Sequence, residues 1–308
     1  MEIIDRIVTI GRDVARVGTR HLHEIRWQRA VRNGQRTMDV RTSFGPMTIR
    51  VASEEHIGHS LLFDGHFELD LIKRTMGFLR EMGRCPPAGQ GTLLDIGANI
   101  GVISIEMLRL GEVARAVCIE PEPVNYAILE ENVRKNGVSS QVYAKRVAVG
   151  DSDTNELVFE LSNLNSGDHR VRVSAATPSP DRYHESDRET IKVGCTTLDR
   201  LVDGLPPAFR EPWSVLWVDV QGYERHVYGG ARGLLSTGIP VVSELWPYGL
   251  ARAGTDQTSF CALAAELWSH YYVFRRDHYV EYPIDSLGYL FAELTGPFAY
   301  DNVVFLKK

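Results

Sequence analysis

Apolar and polar positions follow one rhythm up to about residue 90 and another after it. Residues 1–30 read as helical. Ile3, Ile4, Ile7, Val8 and Ile10 share one face there, which suits core packing or, alternatively, a membrane surface. Residues 37–51 alternate around Gly45-Pro46 and predict a hairpin. Over 66–82, Phe67, Leu71, Ile72, Phe78, Leu79 and Met82 fall at helical spacing, and Cys85-Pro86-Pro87-Ala88-Gly89 then breaks the chain.

Beyond the break, short apolar runs alternate with helical stretches. Strands are predicted at 93–96, 116–120, 145–149, 215–219, 239–244, 271–274 and 302–306, with helices over 123–136, 222–236 and 256–269. The rhythm is interrupted by a β-rich insertion at about 151–212, with strands at 155–161 and 190–195. Between those strands lies a polar, proline-containing stretch, 174–189, expected to be a mobile loop. Alternating strands and helices imply an α/β fold with a mostly parallel sheet and right-handed crossovers. In such sheets the ligand lies at the carboxyl ends of the strands. Here four apolar runs close on an acid: Asp95, Glu120, Asp219 and Glu244.

Composition narrows the reading. The chain has 308 residues, 34 Lys+Arg against 40 Asp+Glu, and 44% hydrophobic residues, which fits a folded protein and argues against one that coats nucleic acid. Four cysteines, at 85, 118, 195 and 261, are too scattered for a zinc motif, and reduced thiols in a cytoplasmic protein are expected. Charges interrupt the N-terminal apolar positions, so no secretory signal is read there. No run of ~20 apolar residues would span a membrane.

The loop Asp95-Ile96-Gly97-Ala98-Asn99-Ile100-Gly101 follows the first strand of the sheet. Asn99 stands at the second glycine position of the dinucleotide fingerprint, and a carboxylate at Asp95 repels a pyrophosphate but attracts a cation. Glu120, 25 residues after Asp95, is placed to accept hydrogen bonds from two ribose hydroxyls. A sulfonium- and ammonium-bearing nucleoside satisfies both conditions better than a nicotinamide dinucleotide.

The strings LLDIGANIGVIS, IEPEPVNYAILEENVRKNG, TTLDRL, WVDVQGYERHVYGGARGLL and DNVVFLKK together resemble the FkbM family of S-adenosylmethionine-dependent methyltransferases, over roughly residues 92–308. Gln221 departs from the pattern, where the family often has Glu. The resemblance implies a Rossmann-like class I methyltransferase fold, a seven-stranded sheet with an antiparallel last strand. Residues 91–308 would form that domain and residues 1–90 a helical and hairpin cap. It further implies cofactor contacts at Asp95, Gly97, Ala98, Asn99, Gly101, Glu120, Pro121 and Ala148, and at Glu68, which follows an aromatic residue as in the family. A polar stretch like 162–168 lies near the family's active site, bringing Asn165 and His169 forward.

Methyl transfer is an in-line displacement in which the protein aligns the acceptor and, for a hydroxyl, supplies a base. Asp219 is the leading candidate, with Glu244 as its neighbour and His169 as a second possible base. Together Asp219 and Glu244 are able to share a divalent cation, though no metal is expected because further ligands cannot be named. Gln221, Trp246 and Tyr248 are candidate walls of the acceptor pocket, whereas His226 and Trp217 suit packing. The expected activity is O-methylation of a sugar or natural-product small molecule. N-methylation of a peptide or amide is the alternative, and an oxidoreductase or a non-catalytic cofactor binder is less favoured.

Overall fold

Side-chain alternation along the central strands sorts the core into two layers. Leu93, Val215 and Trp217 pack on one face of the sheet, while Leu94, Leu216 and Val218 pack on the other, as the twofold period of a strand requires. The computed structural model describes residues 19–173 and 183–307. The apolar face at Ile3–Ile10 and residues 174–182 of the polar loop lie outside them.

Helix α1 (19–32) leads into the hairpin β1 (Thr37–Arg41) and β2 (Pro46–Arg50), then α2 (His56–Phe63) and α3 (Leu69–Glu81). Met47, Ile49, Leu61, Ile72 and Met76 of these elements share one core layer with the sheet. The sheet begins with β3 (Thr92–Ile96), α4 (Val102–Leu110), β4 (Arg115–Ile119), α5 (Pro123–Lys135) and β5 (Val142–Lys145). A second sheet follows, ordered β6-β9-β7-β8, from β6 (Ala148–Val149), β7 (Thr154–Leu161), β8 (Arg170–Val171) and β9 (Glu189–Thr196). The chain returns through α6 (Leu198–Asp203), β10 (Trp213–Val218), α7 (Glu224–Gly229), α8 (Arg232–Ser236) and β11 (Val241–Leu245). It ends in α9 (Pro247–Arg252), α10 (Gln257–Leu267), β12 (His270–Arg275), β13 (His278–Pro283), α11 (Leu287–Glu293) and β14 (Asp301–Leu306).

The main sheet has eight strands, ordered β13-β12-β14-β11-β10-β3-β4-β5. β5, β4, β3, β10 and β11 run parallel, and β14 enters antiparallel between β11 and β12. This is the Rossmann-like class I methyltransferase arrangement, seven strands with the last one reversed, extended by the edge strand β13, which the sequence reading lacked.

Two boundaries move. The third strand, expected at 145–149, pairs in the main sheet only as Val142–Lys145, and Ala148–Val149 pairs instead with β9 in the insertion sheet. The helix expected at 222–236 breaks into α7 and α8. Gly230 lies at the break, where an added Cβ would sit 2.0 Å from the Gly150 carbonyl oxygen, so only glycine lets the two segments approach.

Candidate active site

The carboxyl ends of β3, β4, β10 and β11 form one rim, against which the insertion sheet and the α2–α3 segment close. Two cavities meet there. The inner one is narrow, with about 80 Å³ of free space, and is walled by the β3 and β4 loops, Ala148, Trp217 and the insertion residues Phe159 and Val171. The outer one, about 820 Å³, opens between Trp246, Tyr300 and the Asn165 loop. Phe67, Glu68, Asp219 and Gln221 line both.

Asp95 ends β3 inside the inner cavity, 2% exposed, and accepts a 2.6 Å hydrogen bond from Ser104 Oγ. Burial pushes its carboxyl up to about 7, with the charge of Asp219 adding to the rise. Gly97 adopts a left-handed φ of +90°. A Cβ there would fall 1.8 Å from the Asp219 carbonyl oxygen, so the loop after β3 and the loop after β10 touch backbone to backbone. Asn99 also takes a left-handed φ, +50°, which Asn tolerates better than most residues. Its amide donates to the Ser166 carbonyl at 3.2 Å, tying the glycine loop to the insertion. Gly101 caps α4 with its missing side chain facing Leu129 and Ile105, a packing contact.

Glu120 lies at the end of β4, 4% exposed, and accepts from the amides of Asn99 (3.0 Å) and Glu122 (2.8 Å), one on each oxygen. Each oxygen keeps a further lone pair for a ligand. Burial pushes its carboxyl up to about 8 despite those two donors. Pro121 and Ala148 complete that wall. Glu68 precedes α3 in a left-handed conformation, φ 57°, rather than within its first turn. Burial, then the charge of Asp219, raises it to about 8.

Asp219 follows β10 at the junction of the cavities. Its side chain is open to the cavity space, yet it lies deep among protein atoms, and burial raises its carboxyl. Oδ1 accepts from Gln221 Nε2 at 2.7 Å. Gln221 is held at φ 54°, and Glu224 Oε1 accepts from the amides of Val220 (3.3 Å) and Gly222 (3.1 Å), clasping the turn between them. Glu244 lines the outer cavity only; burial, followed by the charges of Asp219, Glu224 and Glu68, raises it well above the usual carboxylate range.

The other candidates separate. His169 faces the inner cavity, but its Nδ1 accepts from the Ser162 amide at 2.9 Å, which leaves the proton on Nε2. Burial and the charges of Arg50 and Arg188 push it down to about 3, so it is neutral and poorly basic. Asn165 lines the outer cavity while its side chain caps a turn by accepting from Gly167 at 3.0 Å. Trp246 lines the outer cavity, with Nε1 donating to the Pro297 carbonyl at 2.7 Å. Tyr248 stands behind that wall, packed on Tyr183 and donating to Glu185 at 2.9 Å. Among the described residues, neither cavity is lined by a Lys or Arg, and no three His, Cys, Asp or Glu side chains gather as a metal site.

The family described as the methyltransferase FkbM domain matches residues 95–267, more than half of the chain and all four acidic strand ends. The chain belongs to the FkbM methyltransferase family. It is 29% identical over 147 residues to the 2-O-methyltransferase NoeI of Sinorhizobium fredii, covering 47% of this chain and 58% of NoeI. It is 27% identical over 153 residues to the methyltransferase sdnD of Sordaria araneosa, covering 45% of this chain and 59% of sdnD. The match thus spans less than two thirds of either relative. Among solved structures it is similar to the methyltransferase FkbM from Methylobacillus flagellatus KT (16% identity, TM-score 0.40, 73% of this chain and 45% of that one). It is also similar to the O-methyltransferase from Bacillus cereus in complex with SAH (12%, TM-score 0.41, 79% and 82%). At those scores the two structures carry no argument about the site.

One part of this FkbM site escaped sequence reading. Behind the outer cavity, Arg170 and Arg188 both bind Asp168, Arg172 binds Glu160 at 2.8 Å, and Arg252 lies 3.6 Å from Glu185. Glu160 and Arg170 are cross-strand partners on β7 and β8. The only trace in the sequence is the Arg-Val-Arg alternation at 170–172, which reads equally well as a solvated strand face.

Proposed function

We propose that this chain is an S-adenosylmethionine-dependent O-methyltransferase acting on a hydroxyl of a small polar acceptor. The observation that carries the reading is the inner cavity itself. Glu68, Asp95, Glu120 and Asp219 converge there with no Lys or Arg in the lining among the described residues. Such a lining disfavours a pyrophosphate and favours a cationic nucleoside. The residues fit the cofactor: Glu120 retains acceptor capacity for a ribose diol, and Asp95 and Glu68 are carboxylates whose raised affinity for protons a ligand cation relieves. Pro121, Ala148 and the Gly97–Gly101 turn form the surrounding wall.

When bound, the cofactor supplies an electrophilic methyl group: the C–S bond breaks as the O–C bond forms, and sulfur keeps the electron pair. Asp219 is the residue placed to orient the acceptor hydroxyl and receive its proton, since Oδ2 is left free by Gln221 and burial makes the carboxyl more basic. His169 we assign to holding the 162–169 loop, because its accepting nitrogen is already engaged. We read residues up to about 90 as a cap over this rim.

Calorimetry with S-adenosylhomocysteine tests the cofactor assignment. Binding is expected, weakened about tenfold or more in Asp95→Ala and Glu120→Ala as charge-assisted hydrogen bonds are lost. No heat with the wild-type chain, alongside binding of NADH, would overturn it.

A further inference from the structure

The outer cavity is more acidic than methyl transfer to a neutral alcohol requires. Six carboxylates line it, Glu54, Asp64, Glu68, Asp168, Asp219 and Glu244, together with three histidines and no Lys or Arg. Several are accounted for. Asp168 is neutralised by two arginines, Asp219 accepts from Gln221, and Glu54 and Asp64 face solvent at the rim. Glu244 and Glu68 are different. Both are half-buried and open towards the cavity, and neither side chain has a hydrogen bond or ion pair among the described residues. A partly desolvated carboxylate without a partner is destabilised until a cation reaches it. The fold has cations close by, since Arg170 and Arg252 reach Glu160 and Glu185, yet none is directed at Glu244.

Glu68 lines both cavities and so belongs to the cofactor's cationic end. Glu244 lines the outer cavity alone. Its missing partner is therefore brought by the acceptor. A metal ion fits less well, because no three ligating side chains cluster there among the described residues. Across the same space Trp246, Tyr183, Phe298 and Tyr300 present ring surface, suited to the C–H faces of a saturated ring and to a nearby cation.

Resting on the methyltransferase reading above, we propose that the outer cavity takes an acceptor carrying both a hydroxyl and a protonated amine, an amino sugar or related amino alcohol, with the ammonium held by Glu244 and the hydroxyl presented to Asp219. An ammonium has no lone pair to attack carbon. Held as a cation it is an anchor, and methyl transfer goes to oxygen.

Saturation-transfer NMR on the full chain, with and without S-adenosylhomocysteine, tests this using glucosamine and galactosamine against their N-acetyl forms and glucose. The free amines are expected to bind at least about tenfold better than the neutral probes. Glu244→Gln should erase that preference while leaving homocysteine-nucleoside affinity and melting temperature unchanged or raised. Equal binding of neutral and amino probes, no binding of either amine, or a preference that survives Glu244→Gln would overturn the proposal. So would manganese(II) titrating a Glu244-dependent site while amines do not. Absence of S-adenosylhomocysteine binding would count instead against the methyltransferase reading, and the cofactor-free arm still decides the amine question.

Discussion

Two buried acid-rich regions lie side by side in this chain, and they treat charge in opposite ways. In the insertion, Glu160, Asp168 and Glu185 are surrounded by Arg170, Arg172, Arg188 and Arg252, and their carboxylates are spent on those partners. Around the rim, Glu68, Asp95, Glu120, Asp219 and Glu244 have no Lys or Arg beside them in the lining among the described residues and hold protons more tightly than free carboxyls. Glu160 and Glu185 are the more completely buried, at 1% and 0% exposed, whereas Glu68, Glu244 and Asp219 open to the cavities. The regions differ too in whether the fold supplies the counter-charge or leaves it to a ligand. A paired buried acid is architecture, and an unpaired one is a vacancy for chemistry.

That contrast is open to attack by mutation. Arg188→Ala, which takes one of two arginines from Asp168 and one of four from Glu160, should cost about 1.5–3 kcal/mol in stability. Glu244→Gln, on the cavity wall, should cost nothing measurable. Urea unfolding of the two variants compares them directly, and similar losses would erase the distinction. Asp219→Asn should lower turnover on an identified acceptor by ~10²-fold or more while S-adenosylhomocysteine still binds. Unchanged turnover would remove Asp219 from the chemistry.

Proton linkage gives a finer test. Asp95, Glu120 and Glu68 have folded pKa values of about 7, about 8 and about 8, above their unfolded values. Between those limits the folded chain binds more protons than the unfolded one, so stability falls as pH rises. The melting temperature of the free protein should therefore drop from about pH 6 to pH 8.5, on the order of 1 kcal/mol per pH unit for each such carboxyl. S-adenosylmethionine should flatten the slope without abolishing it, because Glu106 and Glu224, each raised to about 7 by burial, titrate in the same range. An identical slope with and without the cofactor would separate these acids from its charge. The last effect is expected for Glu68→Gln, a gain in stability of the free protein at pH 8 that shrinks when cofactor is added.

The strand ends were legible because a parallel strand buried on both faces must be apolar, so an acid closing it stands out. The same logic located the glycine loop, whereas the reversed last strand came from the family resemblance. It failed at Lys145-Arg146-Val147, where one stretch feeds two sheets and the two charged residues mark the switch between apolar runs on either side. Helices α2, α9 and α11, with six to eight residues each, are too short to establish a period. The arginine cluster was hidden for a physical reason as well. Charges alternating with valine have the same spacing whether they face water or one another, and only the pairing of β7 with β8 distinguishes the two.

The backbone contact between Gly97 and Asp219 has a consequence for accuracy. The turn proposed to seat the donor and the residue proposed to receive the acceptor are braced against a single point, reinforced by the Asp219 amide donating to the Ile96 carbonyl at 3.0 Å. Fluctuations of the two loops are thereby correlated, and the gap that the methyl group crosses varies less than either loop does alone. The chain carries its own ruler for the displacement. The outer walls stand clear of that ruler, so their residues are free to change with the acceptor while the line of attack stays fixed.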